Sequence, residues 1–114
     1  MWNLTAAPPT VIEARVLTRL PDALRRPGRS DWADANKGGE PADCFLEGPS
    51  FDRDGHLWLT DIPHGRIFRV SPSLEWQVVA DYDGWPNGLA LDANGRLVVA
   101  HASLGAAFVI ETDG

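Results

Sequence analysis

The chain has 114 residues and a hydrophobic content of 44%, enough for one small domain with a packed core. Eleven glycines and nine prolines suit frequent turns and argue against long helices. The formal net charge of -6 disfavours a nucleic-acid partner, whose phosphates need a basic face, and is ascribed mostly to solubility. A single cysteine, Cys44, forbids an intrachain disulfide and reads as a small, partly buried residue, because no histidine stands in a pairing motif with it.

From the start, Met1 to Thr10 is expected to be irregular, with Pro8-Pro9 blocking regular structure. It lacks the basic patch and apolar stretch of a signal peptide, and no apolar run reaches the length of a membrane span. A cytoplasmic location, with no membrane partner, is the resulting expectation. Ala14–Leu20 reads as a strand, with a helix start as the competing reading. Pro21-Asp22 opens a turn or a short helical turn through Leu24. Arg25, Arg26 and Arg29 make a local basic cluster, expected as a solvated loop, with an anion contact as the lesser option. Ser30 to Asp43 is a long polar loop with a short helical turn at Asp31–Asn36. Loops of this length often cover a site, so a rim or lid role stands beside plain packing, and Trp32 is expected to dock on the body.

Strands are predicted over Gly48–Phe51, Leu57–Asp61, Ile67–Val70 and Trp76–Asp81, where apolar residues alternate between turn signals. Asp52-Arg53-Asp54-Gly55 and Pro63-His64-Gly65 are the turns. The pattern returns without a gap about 40 residues later, a period typical of propeller blades. Asn87-Gly88 falls on Glu47-Gly48, Leu91-Asp92 on Phe51-Asp52, Asn94-Gly95 on Asp54-Gly55, and Gly105 on Gly65. Three more strands follow at Gly88–Leu91, Leu97–Ala100 and Ala107–Ile110, and Thr112-Asp113-Gly114 is expected to be a turn. The fold class is all-β, a β-propeller of which this chain supplies about two blades. Residues 1–44 are assigned as a lead-in with a long loop, and 45–114 as the first blade and most of the second. The segment 14–20 is a candidate ring-closing strand. Two blades are expected to leave an apolar face open on each side, so the isolated chain is expected to self-associate or to belong to a longer propeller.

Glu47 and Asn87 stand at equivalent places at the mouth of the innermost strand of successive blades. A carboxylate and an amide oxygen there would converge on a central axis, and both are hard donors of the kind Ca²⁺ or Mg²⁺ takes. On spacing alone the plainer reading has the edge: a solvated acid and an Asn-Gly turn. Asp61 reads as a residue that holds the following turn. His56 and His64 read as exposed turn residues, and His101 as a lesser candidate for facing the channel. The three histidines lack the spacing of a zinc site.

Glu47-Gly48-Pro49, Asp52-Arg53-Asp54-Gly55, Asp61-Ile62-Pro63, Gly65-Arg66-Ile67 and Pro86-Asn87-Gly88-Leu89 together resemble the SMP-30/gluconolactonase/LRE-like family, from about Ala14 to Arg96. The resemblance implies a six-bladed propeller with a divalent metal, usually calcium, on its axis, and hydrolysis of sugar or related lactones. It implies Glu47 as the first-blade metal ligand and Asn87 as the second-blade amide facing the metal or its substrate. The family takes a further Asn and Asp from later blades, the Asp being its usual general base, so no catalytic residue is assigned here and the chain alone is expected to be inactive. Trp85 stands where some members carry a substrate-binding Arg. The implied function is a calcium-dependent lactonase acting on a small lactone or ester. The alternative is a non-catalytic propeller fragment used for binding.

Overall fold

The computed structural model describes residues 6–112, so the first five residues and the last two of the expected terminal segments lie outside it. The described chain is all-β apart from one short helix and two single 3-10 turns. β1 (Leu46–Phe51), β2 (Leu57–Asp61), β3 (Arg66–Val70) and β4 (Trp76–Asp81) form one antiparallel sheet in sequential order. β5 (Pro86–Leu91), β6 (Leu97–His101) and β7 (Ala106–Ile110) form a second. This is the arrangement of about two propeller blades. No described helix is long and apolar enough to cross a membrane.

The hairpin turns explain why the repeat is so regular. Asp52 Oδ1 accepts the N–H groups of Asp54 and His56, both at 2.9 Å. Asp92 Oδ1 accepts those of Asn94 and Arg96 at 2.8 and 2.9 Å. Each carboxylate reinforces a turn that its backbone also closes, Gly55 N–H reaching Asp52 O at 3.2 Å and Gly95 N–H reaching Asp92 O at 3.0 Å.

Between turns, the pleat sends alternate residues to opposite faces. Trp58 and Ile67 of the first sheet meet Leu97 and Val99 of the second, and all four are buried, as is Thr60 on the same face of β2 as Trp58. Trp58, Ile67, Leu97 and Val99 form the main core, with Leu89, Leu91 and Ile110 packed against them.

The first two inner strands start earlier than the pattern indicates, at Leu46 and Pro86. Their register slips between Glu47 and Ser50 and between Pro86 and Leu89. Glu47 and Asn87 therefore lie inside β1 and β5 rather than ahead of them. A bulge keeps such residues in a strand while breaking the even alternation that marks one in sequence.

The lead-in departs from expectation. Ala14–Leu20 belongs to neither sheet; a strand exists only beside a partner, and no described strand offers this segment one. Instead the chain crosses the outer face of the first sheet. Leu20 is buried there, the Trp76 indole N–H donates to Thr18 Oγ1 at 3.1 Å, and Arg66 Nη1 donates to Leu24 O at 2.5 Å. Leu59, Phe68 and Val70 on that face are buried, so it is not the open apolar surface expected on both sides. The second sheet carries an open apolar face, where Ala100, Ala107 and Val109 are exposed.

The arginine cluster is a loop with Arg26 and Arg29 exposed, and its cations are ion-paired. Arg25 pairs with Asp22 and Asp43, Arg26 with Asp81, and Arg29 with Asp34.

The loop helix α1 (Asp31–Asn36) is capped by Ser30, whose Oγ accepts the Ala33 N–H at 3.1 Å. It buries Trp32 and Ala33 against Ile62, with Ala42, Phe45 and Trp85 alongside. Trp32 docks on the body, as its apolar character in a polar stretch predicted.

Candidate functional site

The two residues singled out by the repeat meet through their backbones. Thr60 is opposite Glu47 in the ladder and is fully buried. Its hydroxyl donates to Glu47 O at 3.2 Å and to Asn87 O at 2.5 Å, so one proton is shared by the two inner strands. Gly48, at φ +59°, permits this approach: a Cβ there would lie 2.8 Å from Leu89 N and 2.9 Å from Asn87 O. Glu47 is half-buried and Asn87 exposed. The edge thus carries a carboxylate and an amide on adjoining strands, a hard-oxygen pair that fits Ca²⁺ or Mg²⁺ in kind and supplies only part of the six to eight ligands calcium takes.

The aromatic packing of α1 takes in the residues that lead into both strands. Trp32 and Phe45 have ring centroids 4.9 Å apart, and Lys37 Nζ lies 5.1 Å from the Phe45 centroid. Phe45 and Trp85, which pack there, precede Glu47 and Asn87 by two residues each.

A second group of donors lies at the opposite end of β1. Asp52, Asp54 and His56 bring one ligand atom each within 4.8 Å of one another and could hold a metal ion. They line a groove of about 530 Å³ together with Arg53, Arg69 and Asn94. Asp52 is already engaged: beyond the two turn N–H groups, its Oδ2 accepts the Trp58 indole N–H at 3.0 Å. Burial alone would raise its pKa, but these hydrogen bonds outweigh burial and hold the carboxyl below its ordinary 3.8. The equivalent group in the second sheet is Asp92, Asn94 and Arg96, which puts a cation where His56 stands. Turn closure therefore accounts for what the two copies share.

The other singled-out residues fall into structural roles. Asp61 and Arg66 form a buried ion pair, Oδ2 accepting from Nη2 at 2.7 Å and Nε at 3.0 Å. Asp61 Oδ1 takes the Phe45 N–H at 2.8 Å. Asp61 thus holds the approach to Glu47, not the following turn. His56 is half-buried, its Nδ1 3.3 Å from Asp52 Oδ2, and His64 is half-buried against Ala42 O at 3.2 Å; neither is the exposed residue expected. His101 is buried between Tyr82 and Phe108 and, with Asn87 and Gly88, lines an open groove of about 510 Å³. Burial, with help from Asp43, pushes the Cys44 thiol up, against a nucleophilic role.

Thr60 carries no motif; only the ladder shows that its hydroxyl spans two sheets. The role of His101 as an acceptor had a visible signal, since the ungapped repeat sets it on Asp61.

No protein-family model and no solved structure matches the chain. Among curated proteins it is similar to Lactonase drp35 of Staphylococcus aureus (strain bovine RF122 / ET3-1), with 33% identity over 72 residues. The alignment covers 61% of this chain and 21% of that protein, so the chain spans about a fifth of the length of the relative it matches.

Proposed function

We propose that this chain is part of a lactone hydrolase of the gluconolactonase type, its inner-strand edge presenting Glu47 and Asn87 to a divalent cation, calcium first. The observation that carries the reading is the Thr60 hydroxyl shared between Glu47 O and Asn87 O, which brings the two donors' strands together. The similarity to a lactonase supports the substrate class. When bound, a divalent cation supplies Lewis acidity that favours charge building on a lactone carbonyl oxygen. Glu47 contributes the carboxylate charge that holds such a cation, and the Asn87 amide offers a neutral oxygen that also suits substrate contact. Trp32 of α1 packs with Phe45 and Trp85, the residues two positions before Glu47 and Asn87, and so supports the two strands that carry them. The segment 14–20 belongs to the same proposal as a strand available for ring closure, and residues 45–114 as the first blade and most of the second.

A second reading, a non-catalytic module, is favoured by the open face of the second sheet. Calcium titration followed by thermal unfolding separates them. Saturation at 100 times Kd is worth about 2.7 kcal/mol, a shift that Glu47→Gln abolishes under the first reading. A wild-type melting curve unmoved by millimolar calcium would leave only the second. Hydrolysis of a panel of five- and six-membered sugar and aliphatic lactones by the intact protein then tests the substrate class.

A further inference from the structure

The two sheets share a device built from unlike residues. The Phe45 N–H donates to Asp61 Oδ1 at 2.8 Å, and the Trp85 N–H to His101 Nε2 at 3.1 Å. The carbonyls of the same two residues accept in return: Ile62 N–H reaches Phe45 O at 3.1 Å, and Ala102 N–H reaches Trp85 O at 2.9 Å. All three residues of one set map onto the other by the repeat spacing. In each sheet, the end of the second strand therefore grips the residue that leads into the first strand, two positions before Glu47 or Asn87.

Both acceptors are buried, Asp61 at 0% and His101 at 3% exposure. A buried N–H needs a partner, and the two sheets supply it differently. In the first, the acceptor is a carboxylate, and Arg66 balances its charge through two bonds to Oδ2. In the second, Ala106 stands in place of Arg66 and offers no cation. A carboxylate at position 101 would be an uncompensated buried charge. A neutral imidazole avoids that. Its Nε2 lone pair takes the Trp85 N–H, which leaves the proton on Nδ1 to reach Ser103 Oγ at 3.2 Å. The Tyr82 and Phe108 rings hold the imidazole from two sides, with centroids 5.7 and 5.4 Å away. Gly84 leaves room for it, because a Cβ there would lie 2.0 Å from Nε2. The change from Asp to His thus goes with the change from Arg to Ala, and the grip survives both.

We propose that Asp61 and His101 are equivalent positioning residues that fix the backbone from which Glu47 and Asn87 present their oxygens to a cation, a role that rests on the reading of those two residues as donors. The test uses three variants of the intact protein: His101→Leu keeps bulk and removes the acceptor, His101→Gln keeps an acceptor, and the double variant His101→Asp with Ala106→Arg copies the first sheet's clamp into the second. Amide hydrogen exchange over residues 85–89 and calcium affinity by titration are the readouts.

His101→Leu is expected to speed exchange at Trp85 at least tenfold while amides over residues 57–70 stay as in wild type, and to weaken calcium binding about tenfold. His101→Gln and the double variant are expected to return both readouts to within threefold of wild type. Unchanged exchange at Trp85, or equal acceleration in both sheets with no recovery in the double variant, would overturn the proposal. Should His101→Leu fail to fold, Ser103→Ala removes only the group that fixes the Nδ1 proton. It should speed exchange at Trp85 alone about threefold, and no change there would overturn the proposal equally. Wild-type protein that binds no calcium removes the donor reading of Glu47 and Asn87, whereas the exchange result judges the anchoring by itself.

Discussion

At the scale of single residues, the side chains with the most to lose are the buried polar ones, because each is fully committed. Arg66 spends three nitrogens on Asp61 and Leu24 O with its side chain only 2% exposed. Arg66→Leu strands the Asp61 carboxylate in the interior, a class of change that costs about 3–5 kcal/mol. Urea unfolding is expected to show that loss, and a variant within 1 kcal/mol of wild type would mean that water reaches Asp61. The turn carboxylates behave differently, since they are only half-buried. Asp52 and Asp92 both have folded pKa values held below the ordinary 3.8, Asp92 first of all by the Arg96 N–H. A depressed folded pKa adds stability that is complete above the unfolded value and is lost as pH falls through the folded one. The urea midpoint is therefore expected to drop below about pH 4. Asp52→Asn should lower the midpoint at pH 6, and its deficit against wild type should shrink by pH 3. A deficit that is constant with pH would place the role of Asp52 in its shape rather than its charge.

At the scale of the element, equivalent positions in the two sheets are not equally burdened. Gly65 and Gly105 both take positive φ, +63° and +58°. A Cβ on Gly65 would lie 1.8 Å from Tyr82 O, whereas one on Gly105 would meet nothing within 4 Å. Gly105→Ala is expected to cost only the left-handed conformation, about 1 kcal/mol, and Gly65→Ala distinctly more because β3 and the strand-linking turn must part. Paired thermal melts check this, and equal losses would count against the close approach of Tyr82 to the β2–β3 turn. The same comparison explains what was legible in the sequence. Asp52-Arg53-Asp54-Gly55, its copy at Asp92, and the alternation through Leu57–Asp61 encode structure within a few residues, so strands and turns could be read directly. Ala14–Leu20 has a strand's composition, but a strand is a property of a pair, and the partner is not written in that segment. Glu47 and Asn87 were legible as equivalents through the repeat. Thr60, which joins their strands, was not, because its two acceptors lie 13 and 27 residues away in sequence.

At the scale of the whole molecule, the two sheets differ in what covers them. The first sheet has a face closed by the lead-in and another closed by the second sheet. The second sheet has one face closed by the first and the other, bearing Ala100, Ala107 and Val109, open to solvent, with Val109 54% exposed. An apolar sheet face next to the unpaired edge of β7 is a surface that seeks cover. We therefore expect the isolated chain to associate in solution, with a sedimentation-derived mass that rises over micromolar concentrations. Val109→Lys puts a charge on that face, on the edge strand β7, at a residue that is 54% exposed. It should shift the mass toward the monomer while leaving the melting temperature of the dilute protein within about 2 °C, since surface changes of this kind stay within about 0.5 kcal/mol. A wild-type chain that stays monomeric across that range would show that the open face is too small or too shallow to drive association. A Val109→Lys variant that associates as strongly as wild type would move the contact elsewhere, the exposed Val11, Ile12, Val16 and Leu17 of the lead-in being the next surface to charge.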